Sequence, residues 1–177
     1  ERIRQLHTQP APFNLTLLTL GTHIPGFQYE GCPEYTGVAN ELFLNGIHCT
    51  DHLVGKFVKQ LEDNGILQDT VLLIQGDHGV FASPEMKRLF ADSVYDRRIL
   101  TIMSVPEASR QPLNVTRKSP GSTVNMVATV LDAMQIEHNA EFILAHSDYD
   151  QPEGSTYVLT RYDDYDKQGG KVENNPL

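Results

Sequence analysis

The sequence predicts an α/β domain, a mainly parallel sheet with helices on both faces, and three observations predict it. Short runs rich in leucine, isoleucine and valine at 13–20, 70–76 and 98–105 have the length and flanks of strands. Amphipathic helical stretches separate and follow them, so strands and helices alternate, the order that builds a doubly wound sheet. The run at 70–76 is continuously apolar rather than alternating, as a strand covered on both faces requires.

In chain order, residues 1–7 read as a helix, and the strand at 13–20 runs into a Gly-Thr-His-Ile-Pro-Gly loop at 21–26. Between 38 and 64, Phe43, Ile47, Val54, Phe57, Val58 and Leu61 recur at helical spacing, and Asn64-Gly65 supplies a stop. The strand at 70–76 leads directly into Asp77-His78-Gly79. Ser83-Pro84-Glu85 has the form of a helix start, with serine as N-cap and proline in the first turn. After the strand at 98–105 comes a loop at 106–120. Val124, Val127, Ala128, Val130 and Leu131 then mark a helix ending near Met134. The main domain is expected over 1–147. An acidic, tyrosine-rich segment at 148–177 holds one further strand, at 156–162, and a solvated tail.

At 177 residues the chain is long enough for one domain with its own core. Its ordinary composition, 40% hydrophobic and 21% charged, excludes a fibrous or wholly disordered protein. The net charge of −9 and the lack of a basic stripe argue against a nucleic-acid partner, because phosphate backbones are gripped by clustered Lys and Arg. They do not exclude phosphate chemistry, since a metal cation can supply positive charge locally. No apolar run reaches membrane-spanning length, and the first residues lack a signal-peptide pattern. With no initiator Met and a start inside a helix, the chain reads as a piece of a longer protein. Cys32 and Cys49 flank a turn-rich segment. They are either a disulfide, which for a loop of this size contributes about 3 kcal/mol and implies an oxidising compartment, or two unrelated buried thiols.

The residues that carry chemistry lie after strands. Ligands in open α/β sheets bind beyond the carboxyl ends of the strands, where Asp77 and His78 are placed. A hard carboxylate oxygen and a borderline imidazole nitrogen suit Zn or Mn, and Gly79 lets the backbone turn so that both point into one site. The alternative is a turn aspartate capping a backbone N–H beside a surface histidine. His23 also follows a strand, so two strand ends are expected to open on one crevice. It is either a phosphate or metal contact or a plain loop histidine. His48 and His52 have i, i+4 spacing on a helix but no glutamate in a zinc-protease pattern, and Asp51 between them reads as a cap or supporting partner. Ser119, Ser122 and Thr123 read as helix caps rather than nucleophiles. Asn14-Leu-Thr16 and Asn114-Val-Thr116 match the glycosylation sequon without informing function.

Taken together, four segments resemble the sulfatase-like branch of the alkaline phosphatase superfamily over roughly residues 1–146. They are Thr19-Leu-Gly-Thr-His23-Ile-Pro25, the helix with Cys49-Thr-Asp51, the run Asp69-Thr-Val-Leu-Leu-Ile-Gln-Gly-Asp77-His78-Gly79, and Ala128-Thr-Val-Leu-Asp132. The chain is most similar to the periplasmic phosphoglycerol transferases that modify glucans, with lipoteichoic acid synthases as relatives, and the loop cysteines Cys32 and Cys49 also resemble that branch. The resemblance implies the C-terminal part of an alkaline-phosphatase-like catalytic domain, an extracytoplasmic enzyme dependent on one divalent metal ion (Mn, Zn or Mg). It implies Asp77 and His78 as metal ligands and His23 as a substrate-phosphate contact. A metal-bound threonine would take a glycerophosphoryl group from phosphatidylglycerol and pass it to a glycan hydroxyl.

In the family that threonine, a further metal-binding glutamate and a membrane anchor precede the part represented by these residues. No segment of this sequence supplies them, so the chain alone is expected to be inactive. The expected partners are a phospholipid head group, a glycan acceptor, the upstream half of the domain and the anchor. The expected location is the periplasmic or extracellular face of the inner membrane. Two alternatives stand: another sulfatase-like hydrolase or a phosphoethanolamine transferase, and a non-catalytic binding domain that retains the fold.

Overall fold

The computed structural model describes residues 1–34, 41–91, 99–107, 123–142, 145–147 and 149, and the backbone of 164–165 and 171–172. The chain forms two compact units, Glu1–Asp69 and Thr70–Leu177.

The first unit is built on helices. Helix α1, Arg2–His7, ends at an imidazole whose Nε2 lies 2.8 Å from Asp69 Oδ1, which ties the two ends of the unit together. Helix α2, Leu42–Asp63, is the long helix expected from the apolar spacing. It begins within the predicted span, and residues 35–40 lie outside the described set. Its apolar stripe buries Phe43, Cys49 and Leu61. It stops as the Asn-Gly pair predicts: the Asn64 side-chain amide donates to the Gln60 carbonyl at 2.6 Å, and Gly65 takes a left-handed φ of 70°. A short 3₁₀ turn, Ile66–Gln68, follows and buries Ile66. Cys32 and Cys49 form a disulfide with Cα atoms 5.2 Å apart.

Residues 13–20 depart from expectation. They pair in no strand, and Leu15, Leu17, Leu18 and Leu20 are exposed. An apolar run buries itself as a strand only where sheet neighbours accept its backbone groups and side chains. The described residues give this run no such neighbours.

The second unit contains strands β1, Leu72–Gln75, and β2, Thr101–Ser104, both within the predicted runs. They pair antiparallel, Leu72 opposite Ser104 and Gln75 opposite Thr101, and the Gly76 N–H donates to the Leu100 carbonyl to prolong the ladder. No parallel pair occurs among the described residues, and β1 is half-buried along its length rather than covered on both faces. An apolar run specifies burial, not the direction of its neighbour.

Between these strands lies α3, Pro84–Phe90, with Ser83 Oγ accepting from the Met86 N–H at 3.1 Å and Met86 fully buried. A 3₁₀ turn, Thr123–Asn125, leads into α4, Met126–Ala133, where Ala128, Thr129 and Ala133 are buried and Thr129 Oγ1 donates to the Asn125 carbonyl. Strands β3, Asp164–Tyr165, and β4, Lys171–Val172, form a second antiparallel pair. The predicted strand at 156–162 lies outside the described residues. At Tyr149, burial and then the nearby Asp132 carboxylate push the phenol above the ordinary tyrosine range. No helix among the described residues is long and apolar enough to cross a membrane.

Candidate functional site

In the second unit, β1 ends at Gln75, and Gly76 carries the chain past the sheet edge into Asp77 and His78. Asp77 Oδ1 accepts from the His78 backbone N–H at 3.0 Å, the capping contact expected of a turn aspartate. Oδ2 is not used in that contact. It lies 3.8 Å from His78 Nε2, and both side chains are more than half exposed. His78 Nδ1 sits 2.8 Å from the Gly79 carbonyl, which only accepts, so Nδ1 carries the ring proton and the Nε2 lone pair is available. The Phe81 ring, 5.0 Å from the imidazole by centroid and tilted 43°, packs against it.

An oxygen and a nitrogen bound to one ion at about 2.0–2.2 Å lie roughly 3–3.5 Å apart, so the Oδ2 to Nε2 spacing needs only a small closure to share a cation. The donor chemistry therefore fits a divalent ion. These are two donors, and no group of three or more His, Cys, Asp or Glu side chains placed to hold a metal occurs among the described residues.

In the first unit, His23 is exposed at the tip of a tight loop. The loop closes through the Phe27 N–H donating to the Gly21 carbonyl at 2.9 Å, with internal bonds from the His23 N–H to the Leu20 carbonyl and from the Gly26 N–H to the His23 carbonyl. His23 Nδ1 lies 3.0 Å from the Ile24 carbonyl, which directs Nε2 outward. Beyond the loop, the Tyr29 N–H donates to Cys49 Sγ and the Cys32–Cys49 disulfide fastens the chain to α2.

His48 and His52 are half-buried on α2, while Asp51 beside them is exposed. Thr123 opens the 3₁₀ turn before α4, and Asn14 and Thr16 are exposed. Ser119, Ser122 and the sequon at Asn114 lie outside the described residues. Phe81 gives no signal in the sequence before its ring is seen on His78.

The sequence profile of the Sulfatase family matches residues 1–136. The chain is 28% identical over 141 residues to phosphoglycerol transferase I of Xanthomonas campestris, an alignment covering 76% of this chain and 19% of that protein. It is 45% identical over 49 residues to an ulvan-active sulfatase of Formosa agariphila, covering 28% of this chain and 8% of that enzyme. No solved structure gives a significant match. The chain thus spans about a fifth of the first relative and less of the second. With strands, helices and an Asp-His pair in the order described, and a family match over most of its length, the chain belongs to the sulfatase family of the alkaline phosphatase superfamily, an α/β enzyme family of transferases and hydrolases.

Proposed function

We propose that the protein is part of an extracytoplasmic phosphoglycerol transferase that moves glycerophosphoryl groups from phosphatidylglycerol to a glucan or polymer hydroxyl. The reading is carried by the Asp77 and His78 pair. Oδ2 and Nε2 are exposed together at the end of β1, and the Gly79 carbonyl holds the imidazole in the tautomer that leaves Nε2 free to ligate. Asp77 and His78 would hold a divalent ion, Mn, Zn or Mg, which would supply positive charge against the phosphoryl oxygens, and the Phe81 ring packs against the His78 imidazole. His23 donates from Nε2 to a phosphate oxygen of the substrate. The nucleophilic threonine and the remaining ligands would be supplied by the parts of the domain that correspond to the uncovered length of the phosphoglycerol transferase relative.

The Cys32–Cys49 disulfide supports a location outside the cytoplasm, because such bonds persist in oxidising compartments. The phosphoglycerol transferase relative supports phosphoglycerol as the group transferred.

The decisive assay uses the parent protein with its complete domain, phosphatidylglycerol as donor, and added Mn²⁺, Zn²⁺ or Mg²⁺ against a chelator. Metal-dependent release of diacylglycerol that disappears in Asp77→Ala supports the reading. The ulvan-active sulfatase relative favours a second one, sulfate-ester hydrolysis, and turnover of an aryl sulfate without lipid cleavage would establish it instead. Inactivity toward both substrates with metal bound would leave a binding domain.

A further inference from the structure

Helix α2 turns one narrow stripe toward the His23 loop: Leu42 and Phe43, then Gly46, then Cys49 and Thr50, spaced three or four apart so that they share a face. Along this stripe the loop's main chain approaches the helix closely. Gly21 and Gly26 are buried, and the four residues between them, His23 included, are exposed. Gly26 has φ 100°, and a Cβ there would meet the Leu42 carbonyl. A Cβ at Gly46 would lie 2.6 Å from Gly21 O, 2.9 Å from Phe27 N and 3.0 Å from Gly26 Cα. The first two atoms are the acceptor and donor of the hydrogen bond that closes the loop. All three belong to the backbone, so no rotamer change makes room. A side chain at position 46 has to lift the loop.

We propose that Gly46 is the positioning residue for His23, an inference that rests on the phosphate-holding role of His23 given above. Gly46 seats the base of the loop on α2. One turn along the helix, the Cys32–Cys49 disulfide and the bond from the Tyr29 N–H to Cys49 Sγ at 3.3 Å secure the chain leaving it. With both anchors in place, the His23 main chain is fixed and its Nε2 is presented at one point. Without the seat, the imidazole samples several positions and phosphate binding weakens, although α2 and the disulfide persist.

The test follows the His23 imidazole resonances of the 177-residue chain during titration with inorganic phosphate. Unmutated chain, Gly46→Ala and Gly55→Ala are compared. Gly55 lies on the same helix with open space where a Cβ would stand. The expected result is a saturating response whose affinity falls about tenfold or more in Gly46→Ala, as loss of a hydrogen bond to a charged group produces. Gly55→Ala should stay within about twofold of the unmutated chain, as surface changes do.

Equal affinity in the two variants overturns the proposal while leaving the role of His23 intact. Faster exchange of the Phe27 amide in Gly46→Ala with unchanged affinity means a structural seat only, and also overturns it. If the unmutated chain gives no response, the phosphate role of His23 fails and the proposal fails with it. Should Gly46→Ala not fold by circular dichroism, reducing the disulfide of the unmutated chain removes the other anchor. Weaker phosphate binding is then expected, and unchanged binding overturns the proposal.

Discussion

His23 and His78 share one arrangement: the Nδ1 of each faces a main-chain carbonyl one residue on, Ile24 at 3.0 Å and Gly79 at 2.8 Å. Each neutral ring therefore presents a bare Nε2 lone pair, suited to a metal and unsuited to an anion. Donation to an oxyanion from Nε2 requires the imidazolium. Asp77→Ala should weaken Mn²⁺ or Zn²⁺ binding by about 100-fold, since even residues that only support a ligand are worth 10- to 100-fold. Asp77 is 81% exposed on its side chain, so the unfolding midpoint of that variant should not move.

Among the elements, α3 offers the plainest link from sequence to stability. Ser83 Oγ caps the Met86 N–H, and the first turn seats Met86 in the core of its unit. Ser83→Ala removes that bond and should cost about 1 kcal/mol in denaturant unfolding. The Cys32–Cys49 disulfide closes a loop of 17 residues in sequence separation, and its reduction should cost about 3 kcal/mol. The capping serine, the Asn64-Gly65 stop and the burial of Phe43 and Leu61 were legible because they are local: each depends on residues within a turn or two, whereas Ile47, read on the same stripe, is exposed. The β1 and β2 runs were legible as strands for the same reason. Their antiparallel pairing was not, because an apolar run carries no mark of its neighbour's direction. The reading of 13–20 as a buried strand failed for a non-local reason as well, since burial is conferred by whatever packs against the segment. The Asp77-His78-Gly79 turn was visible as a tripeptide after a strand. Its tautomer and the ring of Phe81 became visible only with the backbone in place.

At the scale of the whole chain, two long-range forces oppose each other. Leu15, Leu17, Leu18 and Leu20 expose apolar surface within one short stretch, and Leu18 is 81% accessible. Contiguous exposed leucines drive association in water. The net charge of −9 resists it, because two copies approaching one another repel over the Debye length. That length is about 10 Å in 0.1 M salt and about 3 Å at 1 M. Screening weakens the repulsion and leaves the apolar attraction in place. The 177-residue chain should therefore be mainly monomeric in dilute buffer and should associate increasingly as sodium chloride is raised. Light scattering coupled to size exclusion reads the mass at each salt concentration. Leu18→Gln removes the most exposed leucine without changing the charge, so it should shift the onset of association to higher salt while leaving the unfolding free energy within about 0.5 kcal/mol. Charge-controlled association would respond to salt in the opposite way if it arose from complementary patches, growing weaker as salt rises. A mass that falls with salt would thus assign the contact to ion pairs and remove residues 13–20 from the account.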